Sequence, residues 1–231
     1  MAKLIDLTQE IYQGMPVYPG HLKTIVWEHN THEETAKIME AGYSYTTRGL
    51  LLCDHGPTHV DAINHIDPSP GAPSIDKMRL DTFYGPALCL DVSDFPEKST
   101  MGPDVIKAAE KKAGLDIQPG DIVLFYTGHY DRNYGKMDEW LYNYSGFTKE
   151  AAEYLLDVKK IKNWGVDAPS TDTPGDLSYP IHMETRRTGV PHMENLCNLD
   201  QLAGKRFTFA GFPLKIRNGS GSPIRAVAIL D

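Results

Sequence analysis

Four residues whose side chains bind metals or carry protons lie within residues 55–65 of the chain. They are His55, His59, Asp61 and His65, and their spacing is H-x₃-H-x-D-x₃-H. Imidazole and carboxylate groups together suit zinc, manganese or non-haem iron. A single histidine is more often a solvated or core residue, but a cluster of this density favours a metal site. The segment therefore predicts a metal-dependent hydrolase.

The positions of these four residues also predict how the segment folds. All four position numbers are odd, so an extended chain would direct their side chains to one face. In an α-helix the side chains would spread over an arc of ~160°, which is too broad for one small ion. Pro57 lacks a backbone N–H and disfavours a helical conformation at Gly56. We predict that the motif lies on an irregular edge strand or in the loop that the strand feeds.

A second concentration of polar residues lies within residues 164–196. A catalytic ion takes about three protein ligands and keeps one position open for water, and the first three residues of the motif can supply those ligands. His182 and Glu194 could then bind a second ion, with Asp61 bridging the two. The alternative is that His182 is a loop residue after Pro180 and that Glu194 is a carboxylate at the start of a helix.

Other polar residues near these clusters are weaker candidates. His192 precedes Glu194 by two residues and could replace or assist it. Asp172 is flanked by threonines and followed by Pro174, a pattern that predicts a turn shaping the loop, with a catalytic role as the alternative. Cys53 lies close to His55, but without paired cysteine spacing we interpret the three cysteines as reduced packing residues. Reduced cysteines indicate the cytoplasm.

The composition limits the classes of protein to which the chain can belong. Its 231 residues are 41% hydrophobic and 23% charged, which suffices for one sizeable core, and no linker interrupts residues 1–231. We therefore predict a single domain. A formal charge of −8 without a basic stripe argues against a nucleic-acid partner. Asp6 comes too early for a signal peptide, and no apolar run is long enough to span a membrane. A small-molecule substrate is the expected partner.

The apolar pattern predicts a sheet with helices packed against it. Strands are expected at residues 24–27, 43–52, 87–92, 122–127, 162–167, 206–209 and 224–230. Helices are expected at residues 103–113, where a proline begins the first turn and a glycine follows the last, and at residues 148–156. The order is β-rich at the start, β-α-β in the middle and β at the end. It predicts an α/β fold in which one mixed β-sheet has flanking helices.

The histidine motif resembles the signature of the putative cyclase family of metal-dependent hydrolases, which includes kynurenine formamidases and isatin hydrolases. Shorter segments share the resemblance: 6–8 (DLT), 15–20 (MPVYPG), 171–174 (TDTP), 180–182 (PIH), 194–196 (ENL) and 221–225 (GSPIR). Two positions depart from the family pattern, which usually has glycine at Pro57 and proline at Ile63. All the ligand residues are kept. Ile63 is expected to change the wall beside His65, which bears on the substrate rather than on the metal.

The resemblance implies a set of roles and an architecture. It implies that one metal is held by His55, His59 and Asp61, and a second by Asp61, His182 and Glu194. It implies that His65 is the general acid and base, and that the ion is manganese or zinc (Mn²⁺ or Zn²⁺). It leaves open whether the second site holds an ion. It further implies an α/β fold of the swivelling β/β/α type and a homodimer or homotetramer.

We therefore expect hydrolysis of a carbon–nitrogen bond in a small aromatic amide or lactam, such as isatin or an N-formyl aniline. His65 would accept a proton from water and then protonate the leaving nitrogen. Aromatic residues near the candidate loops could line the pocket; they are Tyr18, Trp27, Tyr45, Phe83, Tyr130 and Trp164. The alternatives are a metal-dependent lyase, isomerase or cyclase in which His65 only moves protons, and a metal-binding protein without catalysis.

Overall fold

Strands and short helices alternate along the whole of the chain that the computed structural model describes, residues 2–230. The strands are β1 (Lys3–Asp6), β2 (Ile25–Asn30), β3 (Thr47–Leu51), β4 (His59–Asp61), β5 (Tyr84–Asp91), β6 (Thr100–Met101), β7 (Ile122–Tyr126), β8 (Gly146–Phe147), β9 (Asn163–Val166), β10 (His192–Glu194), β11 (Lys205–Ala210), β12 (Gly221–Pro223) and β13 (Val227–Leu230). The helices are α1 (His32–Ala36), α2 (Pro103–Ala113), α3 (His129–Asn133), α4 (Met137–Tyr142), α5 (Lys149–Glu153) and α6 (Pro180–Thr188). A π-helical turn, Tyr154–Val158, continues α5.

One large mixed sheet organises these elements. Within residues 2–230 it has nine strands, in the order β1-β13-β11-β5-β7-β9-β10-β4-β12. The pairs β5–β7, β7–β9 and β9–β10 are parallel, and the other pairs are antiparallel. Parallel neighbours need long crossovers, which here contain helices: α2 before β7, α5 before β9 and α6 before β10. The predicted α/β fold with a mixed sheet and flanking helices is confirmed.

The central strands are apolar on both faces because both faces of the sheet are covered. Along β5, Leu88 and Leu90 belong to one buried cluster, while Ala87 and Cys89 belong to another on the opposite face. Successive residues of β7 alternate between the two clusters in the same way. The first cluster also contains residues of α2 and α5, and the second contains residues near both ends of the chain. The continuous apolar runs seen in the sequence therefore mark the middle of the sheet.

Most predicted elements agree closely with the structure. The helix predicted at residues 103–113 is α2, and Gly114 ends it in a left-handed conformation with φ of 64°. Only part of the strand predicted at residues 43–52 forms, as β3, and that strand pairs with β2 in a separate two-stranded ribbon. The histidine motif was predicted to lie on an edge strand or in a loop. Its strand, β4, is instead the second strand from the edge of the sheet, and β12 is the edge strand.

None of the helices in the described part of the chain combines the length and the apolar character needed to cross a lipid bilayer.

Candidate metal centre

Two neighbouring strands supply four side chains at the centre of the site. His59 and Asp61 lie two residues apart on β4, and His192 and Glu194 lie two residues apart on β10. Each pair therefore points to one face of the sheet. The antiparallel register places Glu194 opposite His59, and its continuation places His192 opposite Asp61. All four residues are buried, so the two strands create a compact polar cluster inside the protein.

Helix α6 adds His182 to this cluster. The Asp172 carboxylate accepts hydrogen bonds from the backbone N–H of Ile181, at 2.7 Å, and of His182, at 3.3 Å. It also contacts Nδ1 of the His182 ring. His182 Nε2 then lies 3.3 Å from Asp61 Oδ2. Asp172 therefore holds the His182 ring in place, and a carboxylate on one ring nitrogen is the arrangement that commonly directs the other nitrogen toward a metal.

His55 reaches the same carboxylate from the turn that precedes β4. Its Nδ1 lies 2.8 Å from Asp61 Oδ1, and its Nε2 lies 2.9 Å from Ser220 Oγ. The backbone of β12 passes beside the ring, because a Cβ on Gly221 would lie 2.8 Å from His55 Cε1. Glycine at this position therefore leaves the space that the His55 ring occupies.

His65 differs from the other histidines around Asp61 in its access to solvent. It ends the 3₁₀ turn Ile63–His65, and its Nε2 lies 3.9 Å from Asp61 Oδ2. Its side chain is 29% exposed, whereas those of the other four are at most 9% exposed. Burial lowers the pKa of His65 to about 4, although the charge of Asp61 raises it. His65 is therefore neutral at pH 7 and able to accept a proton.

The hydrogen bonds of His59 show that its Nε2 needs a positive partner. Its Nδ1 donates to the Pro57 carbonyl at 2.9 Å, so in the neutral ring Nε2 carries a lone pair. That lone pair faces carboxylate oxygens of Asp61 and Glu194, each at 3.4 Å. Burial lowers the pKa of His59, but these two carboxylates raise it to about 10. A proton or a metal ion must separate the three groups.

Unpaired atoms at the centre test whether the site fits a metal. Asp61 Oδ2, His192 Nε2 and Glu194 Oε1 are buried and have no hydrogen-bond partner among residues 2–230, which is costly for polar atoms. Ligand atoms of Asp61, His182, His192 and Glu194 all lie within 4.8 Å of one another. Those of His55, Asp61 and His65 form a second such group. Imidazole nitrogen and carboxylate oxygen suit Zn²⁺ or Mn²⁺, so these residues fit one or two divalent ions.

The structure places all the residues predicted from the sequence in this one site: His55, His59, Asp61, His65, His182 and Glu194. Their grouping differs in detail, because His55 approaches Asp61 together with His65, while His59 lies between Asp61 and Glu194. The alternative interpretations, His182 as a loop residue and Glu194 as a carboxylate at the start of a helix, are wrong. His182 lies in helix α6, and Glu194 ends strand β10.

Two residues that the sequence left open are now distinguished. His192 belongs to the cluster, and the available signal was its spacing of two residues from Glu194, which puts both side chains on one face of a strand. Cys53 is absent from both groups of ligand atoms found in residues 2–230.

A cavity of about 260 Å³ opens beside His65 and the candidate metal ligands. Its walls include Val17, Tyr18, Trp140 and Tyr179. Only Tyr18 among the six aromatic residues proposed from the sequence lines it within the described chain. Trp140 and Tyr179 were missed because the folding of distant segments toward the histidine motif, rather than any local pattern, places them at the cavity. The volume is near the lower end of the ~300–1,000 Å³ typical of small-molecule sites.

The departure at Ile63 has less effect on this cavity than expected. Ile63 is 5% exposed and is not among the residues that line the cavity. The expectation that it changes the wall beside His65 is therefore not supported. Pro57, the other departure, does line the cavity.

Comparison with known proteins agrees with this arrangement. Residues 5–173 match the model of a family described as putative cyclase. The kynurenine formamidase of Salinibacter ruber is 30% identical over 224 residues, which cover 97% of this chain and 96% of that protein. The chain belongs to the putative cyclase family. The resemblance predicted from the histidine motif is thus confirmed.

Two isatin hydrolases extend the comparison for this member of the cyclase family. The isatin hydrolase of Roseibium aggregatum is 33% identical over 196 residues, which cover 78% of this chain and 73% of that protein. A crystal structure of an isatin hydrolase bound to the product analogue thioisatinate superposes with a TM-score of 0.86 at 26% identity. That match covers 99% of this chain and 92% of the other, so the fold is shared throughout.

Asp167, a buried carboxylate that is not part of the cluster, affects how the stability of the protein depends on pH. Asp167 Oδ1 accepts hydrogen bonds from Thr127 N and Oγ1 at 2.9 and 2.6 Å, yet burial raises the pKa of Asp167 from 3.8 to about 6. The folded state therefore binds the proton more tightly than the unfolded state, and stability falls as pH rises from about 4 through 6.

We expect Asp167→Asn to remove this loss of stability. Above pH 7 the variant should gain up to about 3 kcal/mol in free energy of unfolding, because a shift of about two pKa units is worth that much. Urea denaturation between pH 4 and 8 measures the difference. Equal stability curves for the two proteins across that range would show that Asp167 is ionised at no cost.

Proposed function

We propose that this protein is a metal-dependent hydrolase that cleaves the carbon–nitrogen bond of an amide or lactam in a small aromatic compound. One observation carries the proposal. Imidazole and carboxylate atoms lie close together in the protein interior, and some of them have no hydrogen-bond partner within the described residues. This group of atoms lies beside a partly exposed histidine and a cavity with aromatic walls. Relatives that are a formamidase and an isatin hydrolase support the type of bond.

The proposed ligands are those predicted from the sequence. Asp61 is shared, His55 and His59 complete one position, and His182 and Glu194 complete the other. A bound Zn²⁺ or Mn²⁺ would lower the pKa of a coordinated water from about 15.7 toward ~7 and would polarise the substrate carbonyl. Asp172 and the Pro57 carbonyl hold the His182 and His59 rings so that Nε2 faces the centre.

His65 is the proposed general acid and base. It is neutral at pH 7 and lies at the cavity, so it can accept the proton that the attacking water gives up. Asp61, 3.9 Å from His65 Nε2, stabilises the resulting imidazolium. The same proton then passes to the leaving nitrogen, which returns His65 to its neutral form.

The residues that line the cavity support the proposal that the substrate is flat and aromatic. Tyr18, Trp140 and Tyr179 provide aromatic surface, and Val17 and Ile66 provide aliphatic surface. These residues line the same cavity as Asp61 and His65, so a ring bound there would bring its carbonyl close to those two side chains. Isatin and N-formylkynurenine both combine an aromatic ring with an amide carbonyl.

A substrate panel in ¹⁸O-labelled water tests the proposal. Protein of known metal content is incubated with isatin, N-formylkynurenine, related amides and lactones. We expect turnover of at least one amide or lactam, with the label in the product carboxylate. A metal-dependent lyase, isomerase or cyclase would leave its product unlabelled. Metal-loaded protein that converts no member of the panel would contradict the proposal.

We also propose that the protein forms a homodimer or homotetramer in the cytoplasm. The ribbon of β2 and β3 presents exposed apolar side chains at Ile25, Trp27, Leu50 and Leu51. Exposed apolar surface of this kind marks an interface, and a second copy of the chain would cover it. The free cysteines agree with a reducing compartment. Analytical ultracentrifugation of Leu50→Lys should show a smaller oligomer than that of the parent protein. An oligomer of unchanged size would show that the ribbon is not part of the interface.

A further inference from the structure

His192 is the most deeply buried histidine of the site. It is fully buried, and its Nδ1 lies 3.1 Å from Thr185 Oγ1 on α6. Its Nε2 lies 3.3 Å from Glu194 Oε1 and 3.4 Å from Asp61 Oδ2. Neither contact forms a hydrogen bond, so all three atoms stay unpaired. Three mutually close, unpaired and buried atoms need a shared positive partner.

The partner of Nδ1 determines what Nε2 can do. When the Nδ1–H donates to Thr185 Oγ1, Nε2 carries a lone pair directed at two carboxylates. A cation between these groups would satisfy His192, Asp61 and Glu194 together. His182 faces the same space, with its Nε2 3.3 Å from Asp61 Oδ2.

A second buried histidine shows what a purely structural role looks like. His129 is 1% exposed, but both of its ring nitrogens have partners: Nε2 lies 2.8 Å from the Trp140 carbonyl and Nδ1 lies 3.1 Å from Asn133 Nδ2. No atom of that ring is left unpaired. His192 is equally buried and lacks the second partner, which separates it from a core histidine.

We propose that His192 is a further protein ligand of the ion at Asp61, His182 and Glu194, an assignment that rests on the proposed metal-dependent function. The ion would be held by two imidazoles and two carboxylates, all buried. The other proposed ion, at His55, His59 and Asp61, has three protein ligands and lies beside the partly exposed His65. Four protein ligands are typical of closed zinc sites, whereas catalytic sites keep a position for water. The site with His192 therefore retains its ion more tightly than the site at His55, His59 and Asp61.

Zinc affinity of the full-length protein tests this assignment. Metal-free protein and three variants, His192→Leu, Thr185→Val and His129→Leu, are titrated with Zn²⁺ in competition with a chromophoric chelator. We expect His192→Leu to weaken the tighter site more than about 100-fold, which exceeds the 10–100-fold effect of removing a group that orients a ligand. Thr185→Val should fall within that 10–100-fold range. His129→Leu, the matched control for losing a buried imidazole, should bind zinc like the parent protein.

The outcomes separate this inference from the proposed hydrolase activity. If His192→Leu binds zinc with unchanged affinity and stoichiometry, the inference is wrong while the hydrolase can still stand. If zinc binding depends on His192 but no amide or lactam is cleaved, the inference stands and the proposed function fails.

A zinc-loaded crystal of the parent protein decides the matter if His192→Leu does not fold. An anomalous peak about 2.0–2.1 Å from His192 Nε2 would support the assignment. A peak bonded to Asp61, His182 and Glu194 but more than about 3 Å from His192 Nε2 would overturn it.

Discussion

Replacing His65 by alanine should lower kcat by about 10²–10⁴-fold and leave the metal content unchanged, because a positioned general acid and base contributes that much to a rate. His65 is the most exposed of the five histidines around Asp61, and its Nε2 lies farther from Asp61 than those of His182 and His192. Its loss therefore removes a proton carrier and keeps the more buried proposed ligands. Steady-state kinetics on the substrate found in the panel and metal analysis of the same sample measure both effects.

The control for this variant is His29→Ala, because His29 is an exposed histidine on β2. Added imidazole should restore part of the activity of His65→Ala, since a free base can enter the cavity that the missing ring leaves open. Unchanged turnover in His65→Ala would refute the role of His65. Loss of metal together with activity would show instead that His65 is a ligand.

Replacing Asp61 by asparagine should abolish both metal binding and turnover. Within the described residues, Asp61 is the one member of both groups of converging ligand atoms, and it lies within 3.4 Å of His55, His59, His182 and His192. Asparagine has nearly the same shape but no charge, so any ion would lose its shared carboxylate. We expect metal affinity to fall by more than the 100-fold that removal of an orienting residue reaches.

The metal-free form of this variant should also be less stable. The charge of the Asp61 carboxylate faces His59, whose pKa is raised to about 10, so the ring is protonated at neutral pH when no metal is bound. Removing one partner of a buried ion pair costs about 3–5 kcal/mol. Urea denaturation of the metal-free proteins measures this difference. Asp167→Asn is the matched control for metal binding, because it replaces a carboxylate that is equally buried but lies outside the cluster, and it should keep its metal.

The local features of this protein could be predicted from its sequence. The spacing of His59 and Asp61 puts both on one face of a short strand, because side chains alternate along an extended chain. Continuous apolar runs identified the central strands, and the proline that begins α2 and the glycine that follows it predicted both ends of that helix. Each of these features depends on residues that are close together in the chain.

The contacts between residues far apart in the chain became known from the fold. The pairing of β10 with β4 brings His192 and Glu194 to Asp61, and α6 brings His182, more than a hundred residues after the motif. Nothing in the local pattern specifies this register, because it depends on how the whole sheet is ordered. The physical reason is that side-chain alternation is a property of one strand, whereas a metal centre requires contacts between several elements. For the same reason, the partner of β3 and the cavity walls at Trp140 and Tyr179 could not be predicted from the chain alone.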